Sequence, residues 1–100
     1  MELKYTPKTI YEIEKESGRP VQDTLSNFSM ETIILFIKKG LGVDEEKAFE
    51  EIQTYLADGN DTVVLYTLIM ERLQDAGFLP RQLNMKKIKD DMQKVIAKGV

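Results

Sequence analysis

The chain has no cysteine, no histidine and no tryptophan among its hundred residues. Without cysteine there is no disulfide framework, no thiol nucleophile and no thiolate metal site. Without histidine the usual general base near neutral pH and the commonest metal ligand are both missing. The serines Ser17, Ser26 and Ser29 therefore have no imidazole to activate them. No apolar run approaches the roughly 18 residues of a membrane span, and no secretory signal is recognisable, so an intracellular location is expected. The glycines follow helical stretches and make no phosphate-cradling pattern, which leaves no nucleotide loop. Catalytic, cofactor-binding and metal-binding residues are all expected to be none, and the chain is read as a non-enzyme.

What is present is apolar content and charge. Apolar residues make up 42% of the chain, enough for a folded core and too many for a disordered segment. A chain of this length forms one domain with a modest core. The net charge of −3 is unevenly spread. Residues 1–78 hold 8 Lys/Arg against 15 Asp/Glu, and residues 79–100 hold 6 against 2, so −7 is followed by +4. We read residues 1–78 as an acidic helical body. Residues 79–100 read as a basic amphipathic C-terminal helix belonging to the same single domain.

The longest apolar run is Ile33-Ile34-Leu35-Phe36-Ile37. Its flanks make it a helix. Ser29 can cap the first turn, Glu31 suits the positive end of the helix dipole, and Lys38 and Lys39 suit the negative end. Gly40 is expected to stop it in the left-handed conformation. So apolar a helix needs cover from its neighbours. The expected fold is all-α, a compact bundle of four to five helices around a central apolar helix at about 29–39.

The other segments fit that plan. Met1 to Tyr5 reads as an extended lead-in, and Thr6-Pro7 as a cap followed by proline at the first helical position. That helix runs to about Ser17 with Ile10 and Ile13 inward, Gly18 as its stop, and Glu12, Glu14, Lys15 and Glu16 on its solvated side. Pro20 starts a short turn through Leu25. Asp44 caps a helix in which Ala48, Phe49, Ile52, Tyr55 and Leu56 recur at helical spacing. Gly59 ends it, and Asn60-Asp61 turn into a helix from Thr62 to Ala76 with Gly77 as its stop. Phe78 is placed to fold back on Leu73. Pro80 separates off a last helix at about 81–98.

Paired carboxylates such as Glu45/Glu46, Glu50/Glu51 and Asp90/Asp91 point about 100° apart on a helix, so they do not converge on one substrate. Asp58-Gly-Asn-Asp61 gathers oxygen ligands but lacks the spacing of a calcium loop. It reads as a helix stop followed by a helix cap. The last segment is the candidate site. Met85, Ile88, Met92, Val95 and Ile96 form an apolar stripe, with Lys86, Lys89 and Lys94 beside it. Methionine is over-used where one surface meets varied partners. Nucleic acid is disfavoured, because affinity depends on neutralising phosphates and the body is acidic. A membrane surface is disfavoured too, for want of aromatic anchors.

The segment Thr9-Ile10-Tyr11-Glu12-Ile13-Glu14-Lys15-Glu16-Ser17-Gly18-Arg19-Pro20 resembles the start of tail assembly chaperones from long-tailed bacteriophages and prophages. Leu25-Ser26-Asn27-Phe28-Ser29-Met30 through Gly40-Leu41 resembles the helix that follows in that family. The acidic-capped helix at Asp44-Glu45-Glu46 and the next helix after a Gly-Asn/Asp turn complete the order. The resemblance covers about 5–78, and the basic last helix lies outside it. It implies a non-enzymatic protein of the bacterial host cytoplasm that keeps the long helical tape measure protein soluble, with the tail tube protein as a second candidate partner. Self-association into a homo-oligomer is compatible with it, and neither a membrane nor a cofactor is implied. Amphipathic helices of the tape measure protein would seat in apolar grooves. The contact residues expected are Met85, Lys86, Ile88, Lys89, Met92, Lys94 and Val95. The alternative from another class is a small helical regulatory or nucleic-acid-binding module. The acidic starts of the helices after Gly40 and Gly59 disfavour a helix-turn-helix.

Overall fold

A computed structural model describes residues 1–80. The expected last helix and all seven expected contact residues, from Met85 to Val95, lie outside the described residues. Within them are five helices and no strand: α1 (Pro7–Ser17), α2 (Val21–Leu25), α3 (Met30–Leu41), α4 (Glu45–Ala57) and α5 (Thr62–Asp75). The all-α bundle expected from the sequence is what forms. Its centre is α3, against which α1, α4 and α5 all pack. Phe36 and Ile37 are fully buried there, with Ile33 and Ile34 nearly so.

Four of the five helices begin on a side chain that the sequence marks. Thr6, Ser29, Asp44 and Asp61 each accept a hydrogen bond from the backbone N–H three residues on. Each such cap is worth about 1 kcal/mol. The exception is α2. Pro20 has no side-chain acceptor to offer, and five residues are too few for a helix to hold by itself. Its first free N–H, that of Val21, is taken by Glu14 Oε2 at 2.9 Å. Glu14 is therefore no part of a solvated face, as the charge pattern suggests, but a cap delivered from α1. The other end of α2 is held from α5, where the buried Tyr66 hydroxyl donates to Leu25 O. The ring of Tyr66 meets Phe28 edge to face, with centroids 4.9 Å apart.

Gly40 is not the stop of α3. The helix runs on to Leu41, and Gly42 turns it off with φ of 69°. Val43 N–H and Gly42 N–H both reach Lys38 O, at 3.1 and 3.0 Å, satisfying a carbonyl that the helix end would leave open. Gly40 is buried inside the helix for a different reason. The lead-in crosses it: Leu3 and Tyr5 are both buried, and Lys4 N–H donates to Gly40 O at 2.9 Å. A Cβ on Gly40 would lie 2.8 Å from the Tyr5 ring and 2.9 Å from Leu3 Cδ2. Beyond that crossing the Tyr5 hydroxyl donates to Phe36 O at 2.8 Å, and burial pushes its phenol well above the ordinary tyrosine range. Burial likewise pushes Tyr66 up to about 12. Both hydroxyls thus remain neutral donors at any physiological pH.

The end of α5 follows the expected reversal. Phe78 N–H donates to Leu73 O and Gly77 N–H to Gln74 O, at 2.9 and 3.0 Å, the paired bonds of a Schellman motif. Leu79 then turns back into the buried cluster. One apolar expectation on α4 is corrected. Ala48 and Ile52 are buried, but Phe49 is 49% exposed. On a helix Phe49 stands about 100° round from Ala48, at the edge of the buried stripe, where no helix among the described residues covers it.

Candidate functional site

Two of the depressions on the described surface stand out, and neither is at a residue that the sequence picks out as functional. The first, of about 240 Å³, lies where α1 ends, α2 turns and the first half of α3 passes. Its walls mix charged and hydroxyl side chains with Ile34 and Leu35. Glu16 of α1 sits opposite Lys38 and Lys39 of α3, with Lys38 Nζ at 2.8 Å and Lys39 Nζ at 3.2 Å from its carboxylate. The hydrogen bond from Lys38, with Lys39 beside it, holds the Glu16 carboxyl below its ordinary value of 4.5. Glu16 is on the exposed side of α1, as expected, and from there it pairs with α3.

The hydroxyls in this corner are occupied by structure. Ser17 Oγ lies 3.2 Å from Arg19 O. Thr24 Oγ1 lies 3.3 Å from both Pro20 O and Ser17 Oγ. Ser29 Oγ donates to Thr32 Oγ1 at 3.2 Å. Among the described residues every buried side-chain nitrogen and oxygen has a partner. The corner's chemistry is that of a fastening between helices.

The second depression is an open cleft of about 200 Å³ between α4 and α5, lined by Tyr55, Val64, Thr67, Leu68 and Glu71. Tyr55, Val64 and Leu68 are half-buried. Val64, Leu68 and Glu71 follow one another at helical spacing along α5, so they form a continuous strip. The sequence shows the apolar residues of this strip but does not mark them as a site. Their partial exposure follows from the arrangement of α4 and α5, both of which spend their best apolar residues on α3.

The Asp58–Asp61 segment does what a helix stop and cap should do. Asp58 closes α4, Asn60 Nδ2 donates to Tyr55 O at 3.0 Å, and Asp61 Oδ1 accepts from Val64 N–H at 2.8 Å. Among the described residues no three Asp or Glu side chains gather as a metal would require. No helix among them is long and apolar enough to cross a membrane. Comparison of the chain with protein-family models, with curated proteins and with solved structures gives no match.

Proposed function

We propose that the chain is a non-enzymatic tail assembly chaperone of a long-tailed bacteriophage or prophage. It acts in the bacterial cytoplasm and holds the tape measure protein soluble until tube subunits enclose it. The observation that carries this reading is the sequence pattern over residues 5–78, led by Ile10-Tyr11-Glu12-Ile13-Glu14-Lys15-Glu16-Ser17-Gly18-Arg19-Pro20. The fold gives those residues joint physical work, which supports treating them as one motif. Gly18 and Pro20 make the corner, Glu14 caps the helix beyond it, and Glu16 fastens the corner to α3. The all-α architecture and the partly covered apolar strip on α5 suit a protein whose partner is itself helical.

Met85, Ile88, Met92 and Val95 are the apolar contacts in this reading, with Lys86, Lys89 and Lys94 at the rim. The test is co-expression with the long helical protein encoded downstream, followed by affinity capture and size-exclusion chromatography. Solubilisation and co-elution of that protein are expected. Replacement of Met85 and Met92 by Asp in the full chain should abolish both while leaving the helical content intact. Failure of the full chain, and of any frameshifted longer form, to bind would remove the reading. Salt-sensitive binding to duplex DNA would favour the regulatory alternative.

A further inference from the structure

The corner depression where α1, α2 and α3 meet gathers charge beyond what fastens the helices. Five charged side chains line it: Glu16, Glu31 and Glu45 against Arg19 and Lys38. Glu16 and Lys38 hold each other. Arg19, Glu31 and Glu45 have no ion-pair partner among the described residues, and all three are exposed. First-turn positions on α3 and α4 suit the two carboxylates. They do not account for an unpaired guanidinium lining the same depression.

The depression also holds a gap in the cover of α3. Of the run Ile33-Ile34-Leu35-Phe36-Ile37, only Leu35 is not buried. With Ile34 it forms the apolar part of the wall. Glu31, Leu35 and Lys38 recur at one-turn spacing, so they lie in one line along α3. An apolar centre with charged groups around it is the composition of an interface core and its rim.

The two signs limit what fits. An occupant of one charge sign meets repulsion either from Arg19 or from the two carboxylates. A surface known to carry both signs about an apolar centre is this depression itself. Under a two-fold axis residue i of one copy meets j of the other while j meets i, so such a patch can satisfy itself. Residues 1–78 sum to −7 and oppose self-association in general. The depression opposes it little, since three carboxylates against two cations leave only −1.

We propose that the corner depression is the centre of a two-fold interface with a second copy of this chain. Leu35 of each copy packs against Ile34 and Leu35 of the other. Arg19 of each lies against Glu31 of the other, with Glu45 at the rim. The interface does not rest on the chaperone reading. It is small, so a reversible dimer with a Kd of about 10–100 µM is expected.

The test is sedimentation equilibrium of the full chain over about 5–500 µM, which brackets that Kd. Wild type should pass from monomer to dimer, and Leu35→Lys should stay monomeric. Arg19→Glu and Glu31→Arg should each weaken the dimer at least about fivefold. The double variant should recover most of that loss, because the pair re-forms with its signs exchanged. Glu31→Arg also lowers the negative charge of the body, which alone favours association, so weakening marks a specific contact. Glu46→Arg makes the same charge change at an exposed site outside the depression and should not weaken the dimer. Arg19 and Glu31 are exposed, so their variants give a reading that does not need Leu35→Lys to fold. A wild-type chain that is monomeric at every concentration overturns the proposal. A dimer that Leu35→Lys and Arg19→Glu leave unchanged overturns it too, and puts the contact on another surface. If a monomeric chain captures the downstream helical protein and Arg19→Glu loses it, the depression belongs to that partner and not to a second copy. The sedimentation series contains no partner, so failure of the dimer and failure of the chaperone reading are separate results.

Discussion

Helices α3 and α4 start in the same way and end up in opposite surroundings. Ser29 caps one and Asp44 the other, each to the N–H three residues on. Their lengths differ by one residue. Yet α3 buries Thr32, Ile33, Ile34, Phe36, Ile37 and Gly40, whereas α4 buries only Ala48 and Ile52. The difference lies in cover. α1, α4, α5 and the lead-in strip all lie on α3. Among the described residues α4 lies mainly on α3. Local signals at the ends make a helix; its neighbours decide how many of its faces are inside.

The contrast is broken most directly by one substitution made in each helix. Phe36→Ala removes a fully buried ring and should cost about 3–5 kcal/mol, as large core deletions do. Phe49→Ala removes the same ring from a half-exposed position and should fall within about 0.5 kcal/mol of wild type. Urea unfolding of the two full-chain variants measures both. A Phe49→Ala loss approaching that of Phe36→Ala would mean that Phe49 is covered in solution.

The crossing at Gly40 sharpens the same point. Gly40→Ala should destabilise by about 1–3 kcal/mol, since the added methyl collides with Tyr5 and Leu3 faster than improved helix propensity can offset it. In a Leu3→Ala background part of that loss should disappear, because one of the two obstacles is gone. If the penalty were the same in both backgrounds, the lead-in would not be the cause.

Caps should show no such contrast. Ser29→Ala and Asp44→Ala are each expected to cost about 1 kcal/mol despite the unequal burial of their helices. Thermal melts would show them as similar falls in Tm, of roughly 4–8 °C per kcal/mol for a domain of this size. A loss confined to Ser29→Ala would tie cap strength to burial and undo the separation drawn above.

The smallest effect is at the α1–α3 clamp. Glu16→Gln should cost no more than about 0.5 kcal/mol near neutral pH, because the pair is solvent-screened. The sign with pH is fixed by the lowered Glu16 value. A carboxyl held lower in the folded state stabilises above its unfolded value and loses that contribution as pH falls through the folded one. The difference between wild type and Glu16→Gln should therefore shrink below about pH 4.5. A difference that stayed constant down to pH 3 would assign the effect to packing.

Much of the bundle is legible in the chain itself. Thr6-Pro7, Ser29, Asp44 and Asp61 are caps in the sequence and caps in the structure, because an N-cap bond closes within four residues. The Gly77–Phe78 reversal is legible for the same reason. Neither depression was legible. The Glu16 pairing joins residues 22 apart, and the α4–α5 cleft depends on how two helices share a third. No local pattern encodes either.

Three residues divide the two kinds of information. Gly40 carries every mark of a helix stop, yet tertiary structure uses it as the place where Leu3 and Tyr5 can touch the backbone of α3. Glu14 sits among charges that read as a solvated face, yet the corner at Gly18–Pro20 swings it onto the bare start of α2. Phe49 follows the apolar period of α4, yet none of the described elements covers it. Sequence determined which segments become helices and where most begin, since those choices rest on hydrogen bonds a few residues long. Packing alone decided which apolar residues are core and which charges are clasps, since burial belongs to the pair of surfaces that meet and to neither one by itself.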